Sequence, residues 1–196
     1  MSQARPGLAG LVIAGGRSNR FGAEKAVQIL NGRSLLEWAA SALAGVCADV
    51  AVSARADSGA AGIAARLGLP LLTDDPAHPQ GPLAGVAAGL AWAAARGASG
   101  LVTLACDTPG VTAAMLRRLV EAGPAAHAAT ADGFQGLCAL WPVSALPDLK
   151  AALDEGRHPS VRAALAAAGA APVLFDDAEA FANLNSPEDL ARLRGR

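Results

Sequence analysis

Short apolar runs alternate along the chain with longer stretches of helical spacing, the pattern of βα units that build a largely parallel sheet. Residues 8–14 read as a first buried strand, followed by a glycine-rich loop. Ser34-Leu35-Leu36-Glu37 forms a capping box that opens a helix to about Val46, because Ser34 can accept from the Glu37 amide while Glu37 reaches back. A second strand is expected over 50–53, a helix over 60–67 stopped by Gly68, and a third strand over 69–72. The next helix spans 82–95 and ends near Gly97; a fourth strand covers 101–105, and Thr112 caps a helix to about Ala122. Beyond this point the alternation weakens. Strands are expected over 125–130 and 137–141, helices over 145–153 and 160–168, and a late strand over 173–175. Ser186, Pro187 and the acidic pair Glu188-Asp189 suit the start of a last helix, where negative charge complements the N-terminal dipole.

At 196 residues, 53% hydrophobic and 17% charged, the chain has material for one well-buried core and too little length for two full domains, so 1–196 is expected to be one unit. Sixteen basic and seventeen acidic side chains nearly cancel, which leaves no whole-chain electrostatic footprint for nucleic acid or an anionic membrane. Any anion site must be local. Cys47, Cys106 and Cys138 are far apart and form no C-x-x-C pair, which argues against a disulfide scaffold or zinc cluster and fits a reducing cytoplasm. The start of the chain lacks the layout of a secretory signal, and the longest uncharged apolar run, 81–95, falls short of the ~20 residues a membrane span needs. A soluble cytoplasmic protein is expected.

The candidate chemistry clusters at predicted strand ends. Ala14-Gly15-Gly16-Arg17-Ser18-Asn19-Arg20-Phe21-Gly22-Ala23-Glu24-Lys25 follows the first strand directly, at the carboxyl edge where α/β sheets bind ligands. Its glycines let backbone amides approach a phosphate, and Arg20 and Lys25 add positive charge. The segment is neither G-x-x-x-x-G-K-[ST] nor G-x-G-x-x-G, which disfavours a P-loop or an ordinary dinucleotide fold. A glycine-rich turn with incidental surface charge is the plain alternative. Only two lysines stand beside fourteen arginines, so a lysine kept at position 25 suggests a need for a compact ammonium.

Cys106-Asp107-Thr108-Pro109 ends the fourth strand, where the Asp107 carboxylate can hold Mg²⁺ through hard oxygen or simply cap a turn. After the third strand, Asp74 can accept from a base or ribose, while Gly81, Gly85 and Gly89 permit either close ligand contact or tight helix packing. Asn183 and Asn185 can bond loop backbone or a ligand and metal shell. His78, His127 and His158 show no metal or triad spacing and are expected to be surface or loop residues.

Four segments in order, L-V-I-A-G-G-R-S-N-R-F-G-A-E-K, T-D-D with G-P-L-A-G, C-D-T-P and F-A-N-L-N-S-P-E-D-L, resemble the molybdenum cofactor guanylyltransferases over nearly the whole chain. The resemblance implies an α/β, three-layer αβα Rossmann-like nucleotidyltransferase fold with a mostly parallel mixed sheet. It also implies transfer of GMP from GTP to molybdenum-molybdopterin with release of pyrophosphate, and Mg²⁺ as cofactor. By the resemblance, GTP contacts fall on Ile13, Ala14 and Gly15, the phosphate-binding lysine on Lys25, base or ribose contacts on Ser53 and Asp74, and the metal ligand on Asp107. The candidate catalytic set is Lys25, Asp107 and Arg20, with Gly16, Gly81, Asn183 and Asn185 added to the binding set. Glu24 stands where the family commonly has Asp, and Ser53 where it has Asn. Related cytidylyltransferases usually carry A-A-G and D-x-D where this chain has Ala14-Gly15-Gly16 and Asn183-Leu184-Asn185, and both differences favour guanine. Transient contact with molybdoenzymes or cofactor-biosynthesis proteins is a further expectation. The competing readings are a cytidylyltransferase or sugar-phosphate nucleotidyltransferase, and a non-catalytic adaptor that binds nucleotide and delivers cofactor.

Overall fold

In the computed structural model, which describes residues 7–15, 24–186 and 188–190, the first apolar run becomes strand β1 (Leu8–Ile13) of a seven-stranded sheet. A small hairpin, β2 (Ile29–Leu30) and β3 (Arg33–Ser34), leads into helix α1 (Leu35–Ala44), then β4 (Asp49–Ser53), α2 (Gly59–Leu67) and β5 (Leu71–Leu72). Helix α3 (Pro82–Ala95) crosses to β6 (Gly100–Ala105), followed by α4 (Ala113–Glu121), β7 (Ala126–Thr130) and β8 (Gly133–Pro142). Helices α5 (Leu146–Asp154) and α6 (Val161–Ala167) and strand β9 (Ala171–Leu174) complete the layers.

The strand order is β5-β4-β1-β6-β8-β7-β9. β1 pairs in parallel with β4 and β6, whereas β8 runs antiparallel to both β6 and β7, and β9 pairs in parallel with β7. The expected mostly parallel mixed sheet is therefore present. Residues of β1 alternate between two cores, which explains why the strand is apolar throughout. Val12 packs with Leu36, Leu43 and Leu116 on one face, and Leu11 and Ile13 pack with Leu83, Leu90 and Leu149 on the other. Gly89 of α3 is a packing residue, because a Cβ there would sit 2.7 Å from Leu11 and 2.8 Å from Leu101.

Local signals account for most element ends. Ser34 and Glu37 form the capping box of α1, Ser58, Thr112 and Ser160 cap α2, α4 and α6, and Gly68 ends α2 in the left-handed region. The third strand is shorter than expected, since the Leu69 amide closes the α2 terminus on Ala64 and Pro70 has no N–H to pair. Strand β8 starts at Gly133, earlier than the expected 137, because glycines and Gln135 hide its alternation. Hairpin β2–β3 was not anticipated, although Asn31 and Gly32, both with positive φ, supply the tight-turn signal. The last helix is described only over 188–190; Ser186 accepts from the Asp189 amide and Asp189 accepts from the Ser186 amide, while Pro187 lies outside the described residues. No helix among the described residues is long and apolar enough to cross a membrane.

One buried polar link ties β6 to β8: the Trp141 indole N–H donates to Thr103 Oγ1 at 3.1 Å, and both residues are almost inaccessible. Thr103→Val keeps the shape and strands that donor, so it is expected to lower unfolding free energy by about 1–3 kcal/mol in chemical denaturation, against no change if the link is idle.

Candidate active site at the carboxyl edge

Helices α1 and α3 cover opposite faces of the sheet, and β1, β4, β5 and β6 run in parallel, so the segments that leave them gather at one carboxyl edge. That edge is the usual ligand site of an open α/β sheet. A cleft of about 640 Å³ opens there, lined by Ile13, Gly15, Ser53, Asp74, Gly81 and Gly85 among others. The Ala14 amide donates to Ser53 O, extending the β1–β4 pairing to the rim. A Cβ at Gly15 would meet nothing within 4 Å, so the backbone borders open space.

The cleft wall formed by Ser53 and Asp74 owes its shape to two glycines. Gly85 faces Ser53 and Asp74 so closely that a Cβ would collide with the Ser53 hydroxyl. Gly81 has φ +153°, which disfavours any side chain, and the His158 imidazole lies over it. Pro82 follows at the first helical position of α3, whose start carries no side-chain cap. Asp74 stands at the rim, where partial desolvation raises its carboxyl above the ordinary range and nearby His78 opposes that rise. His78 and His158 sit in loops, as expected, although the His78 side chain is largely buried and bonded to Asp154 at 2.8 Å; His127 instead lies in strand β7 against Phe134.

Elsewhere on the same carboxyl edge, a one-turn 3-10 segment, Lys25–Val27, delivers the Lys25 ammonium to Asp107, just past the end of β6. Lys25 Nζ lies 2.8 Å from Asp107 Oδ2 and 2.7 Å from Asn185 Oδ1. The Lys25 and Asp107 side chains are both mostly sheltered, at 17% and 20% exposure. Asn185 reaches them because the Leu184 amide donates to Asp107 O at 2.9 Å, latching the late segment onto the β6 turn. Gly110 permits that contact: a Cβ there would fall 2.8 Å from the Ala180 backbone. Asn183 is exposed and takes no part in the Lys25 network among the described residues. Gly16 and Arg20 lie outside the described residues.

The donor set suits a hard cation. The carboxylate of Asp107 and the amide oxygen of Asn185 already converge on one cation, the Lys25 ammonium. Among the described residues no group of three or more acidic, His or Cys side chains could hold a metal unaided. A carboxylate and an amide oxygen are hard ligands of the kind that divalent cations take, with water and substrate oxygens completing the shell. Cys106, adjacent to Asp107, is buried and its thiol is pushed up to about 12, chiefly by desolvation, which removes it as a nucleophile near neutral pH.

The chain matches the MobA-like NTP transferase domain over residues 10–174. It belongs to that family. The molybdenum cofactor guanylyltransferase of Cereibacter sphaeroides is 46% identical over 188 residues, covering 94% of either chain. The crystal structure of molybdopterin-guanine dinucleotide biosynthesis protein A from Archaeoglobus fulgidus superposes with a TM-score of 0.75 at 24% identity, covering 95% of this chain and 97% of that one. A Mycobacterium tuberculosis protein solved in complex with manganese shares the fold with a TM-score of 0.61 at 20% identity, covering 96% of this chain and 98% of that one. Membership makes the chain a nucleotidyltransferase and agrees with the sheet and crevice described above.

Sequence reasoning named Lys25, Asp107 and Asn185 separately, and the structure brings the three together. It missed Gly110 and the backbone latch, which leave no spacing signal in a single chain. Gly110→Ala forces the Ala180 segment back, so it is expected to cost about 1–3 kcal/mol of stability and to lower turnover with it. A variant with unchanged melting temperature and unchanged turnover would show that the latch does not matter.

Proposed function

We propose that the chain is a molybdenum cofactor guanylyltransferase, moving GMP from GTP onto molybdenum-molybdopterin with release of pyrophosphate. The observation that carries this reading is the convergence of Lys25, Asp107 and Asn185 at the carboxyl edge, beside a cleft sized for a nucleoside. The identity of the Cereibacter sphaeroides relative supports the acceptor and the choice of guanine.

In this reading the base and ribose occupy the cleft lined by Ser53, Asp74, Gly81 and Gly85, with Ile13 and Gly15 beside them and the Ala14 backbone between those two. The triphosphate runs toward Lys25. Phosphate oxygens compete with Asp107 for the ammonium, and a carboxylate so released is free to hold Mg²⁺ together with the Asn185 oxygen. When bound, the metal supplies Lewis-acid stabilisation and orients the phosphates. The acceptor's terminal phosphate is already anionic near neutral pH and attacks the α-phosphorus in line. The bond to the β-phosphate breaks, and pyrophosphate carries away the electron pair. No general base is required, in keeping with a cleft whose His78 is tied to Asp154. Lys25 offsets the charge growing on the transferring and leaving phosphates, so positioning and electrostatics supply the rate. The reaction belongs with the reducing cytoplasm suggested by three free, buried cysteines.

Pyrophosphate release is expected with GTP, Mg²⁺ and molybdopterin acceptor, and much less with CTP, ATP or UTP. Asp107→Ala and Lys25→Ala are each expected to lower turnover by about 100-fold or more without unfolding the chain. Near-normal turnover in both purified variants would refute the assignment. GTP binding without any pyrophosphate release would favour a delivery adaptor, and preference for CTP would favour a cytidylyltransferase.

A further inference from the structure

Glu24, the residue just before Lys25, has a task that its place in the loop does not suggest. Its carboxylate reaches across to α2, accepting from the Gly59 amide at 2.6 Å and the Ala60 amide at 2.8 Å. These are the first two residues of α2, whose N–H groups have no acceptor inside the helix. Ser58 takes the third, from Ala61, so the first turn of the helix is fully satisfied. Negative charge at this end of the helix is also favoured by the helix dipole. The same residue is fixed from behind, since Gln28 Nε2 donates to Glu24 O and the Gln28 amide closes the turn on Lys25 O.

The fit is specific at Gly59. A Cβ there would lie 2.6 Å from Val27 Cγ1 and 3.1 Å from Glu24 Oε2, so only glycine lets the lysine turn sit against the helix. The segment between β4 and α2, with Ala54, Arg55, Ala56 and Asp57, lines the nucleoside side of the cleft. The carboxylate therefore joins the turn that presents the ammonium to the segment that walls the cleft.

We infer that Glu24 is a positioning residue, a brace that sets the distance between the Lys25 ammonium and the nucleoside wall of the cleft. It acts through backbone and makes no contact with the reacting groups. The inference rests on the proposed role of Lys25. A side chain with the same reach and no charge, Glu24→Gln, keeps one acceptor and turns an amide toward the other N–H. The brace then loosens without a change of volume.

The test is a double-mutant cycle on GTP affinity by calorimetry, using the full chain, with Glu24→Ala alone, Lys25→Ala alone and both together. Because a misplacement near 1 Å in a positioned group costs heavily, Glu24→Ala is expected to weaken GTP about tenfold in the wild-type background. In the Lys25→Ala background the same change is expected to cost less than about twofold, since a brace has nothing left to place. Equal losses in both backgrounds, or no loss in either, overturn the inference. If Glu24→Ala fails to fold, Glu24→Gln enters the same cycle. A second readout is independent of nucleotide: amide exchange at Gly59 and Ala60 is expected to accelerate in Glu24→Ala, and unchanged exchange at both contradicts the brace. Failure of the wild-type chain to bind GTP would strike the proposed function instead, and the exchange result would still decide whether Glu24 holds the helix.

Discussion

A positive charge has to be held beside two oxygen acceptors at one rim of the sheet, and these lie 82 and 160 positions along the chain from it. Side-chain attraction alone is too weak to bring them there, because a partly exposed ion pair is worth little against the entropy of ordering two long segments. The sheet does the work. β1 and β6 lie side by side in parallel register, so the segments leaving them begin at the same edge. The Leu184–Asp107 backbone bond then brings in the last segment, and Gly110 makes room for it. With the backbone ordered for other reasons, the Lys25–Asp107–Asn185 contact costs little more to form.

The carboxyl edge divides into two regions with different physics. Toward β4 it is built by absence: Gly81 and Gly85 carry no side chains, and Ser53 and Asp74 line the space that results. Shape and a few polar atoms suit recognition of a base and sugar. Toward β6 it is built by charge, with the ammonium and the carboxylate sheltered from full solvent. Sheltering strengthens each electrostatic contact and fixes the groups before a substrate arrives. The lysine turn belongs to the charged region and the segment entering α2 lines the cleft, and the Glu24 carboxylate joins the two.

Much of the fold was legible because its determinants are local. The Ser34–Glu37 capping box, Gly68 at the end of α2 and Pro82 at the start of α3 are each readable within a few residues. Errors arose where the backbone hydrogen bonds, and not the side-chain pattern, decide the outcome. Leu69 and Pro70 look like strand, yet one closes a helix and the other lacks a donor. The first half of β8 is extended because β7 pairs with it, with Phe134 opposite Ala129 and Gln135 opposite Ala128. The site was legible as residue types: lysine, aspartate and asparagine stood out against an arginine-rich, asparagine-poor background. What joins them was not. Glu24, Gly59 and Gly110 act through contacts between segments distant in sequence, and a single chain without geometry carries no trace of them.

The central claim is that Lys25 and Asp107 serve the same bound triphosphate, one through phosphate and the other through metal. The most direct measurement is Mn²⁺ binding followed by electron paramagnetic resonance, with and without GTP, in the wild-type chain and in Asp107→Asn. The account predicts tight Mn²⁺ binding only when GTP is present, and its loss in Asp107→Asn while metal-free GTP binding persists. Equal Mn²⁺ affinity in the two proteins with GTP bound would contradict it.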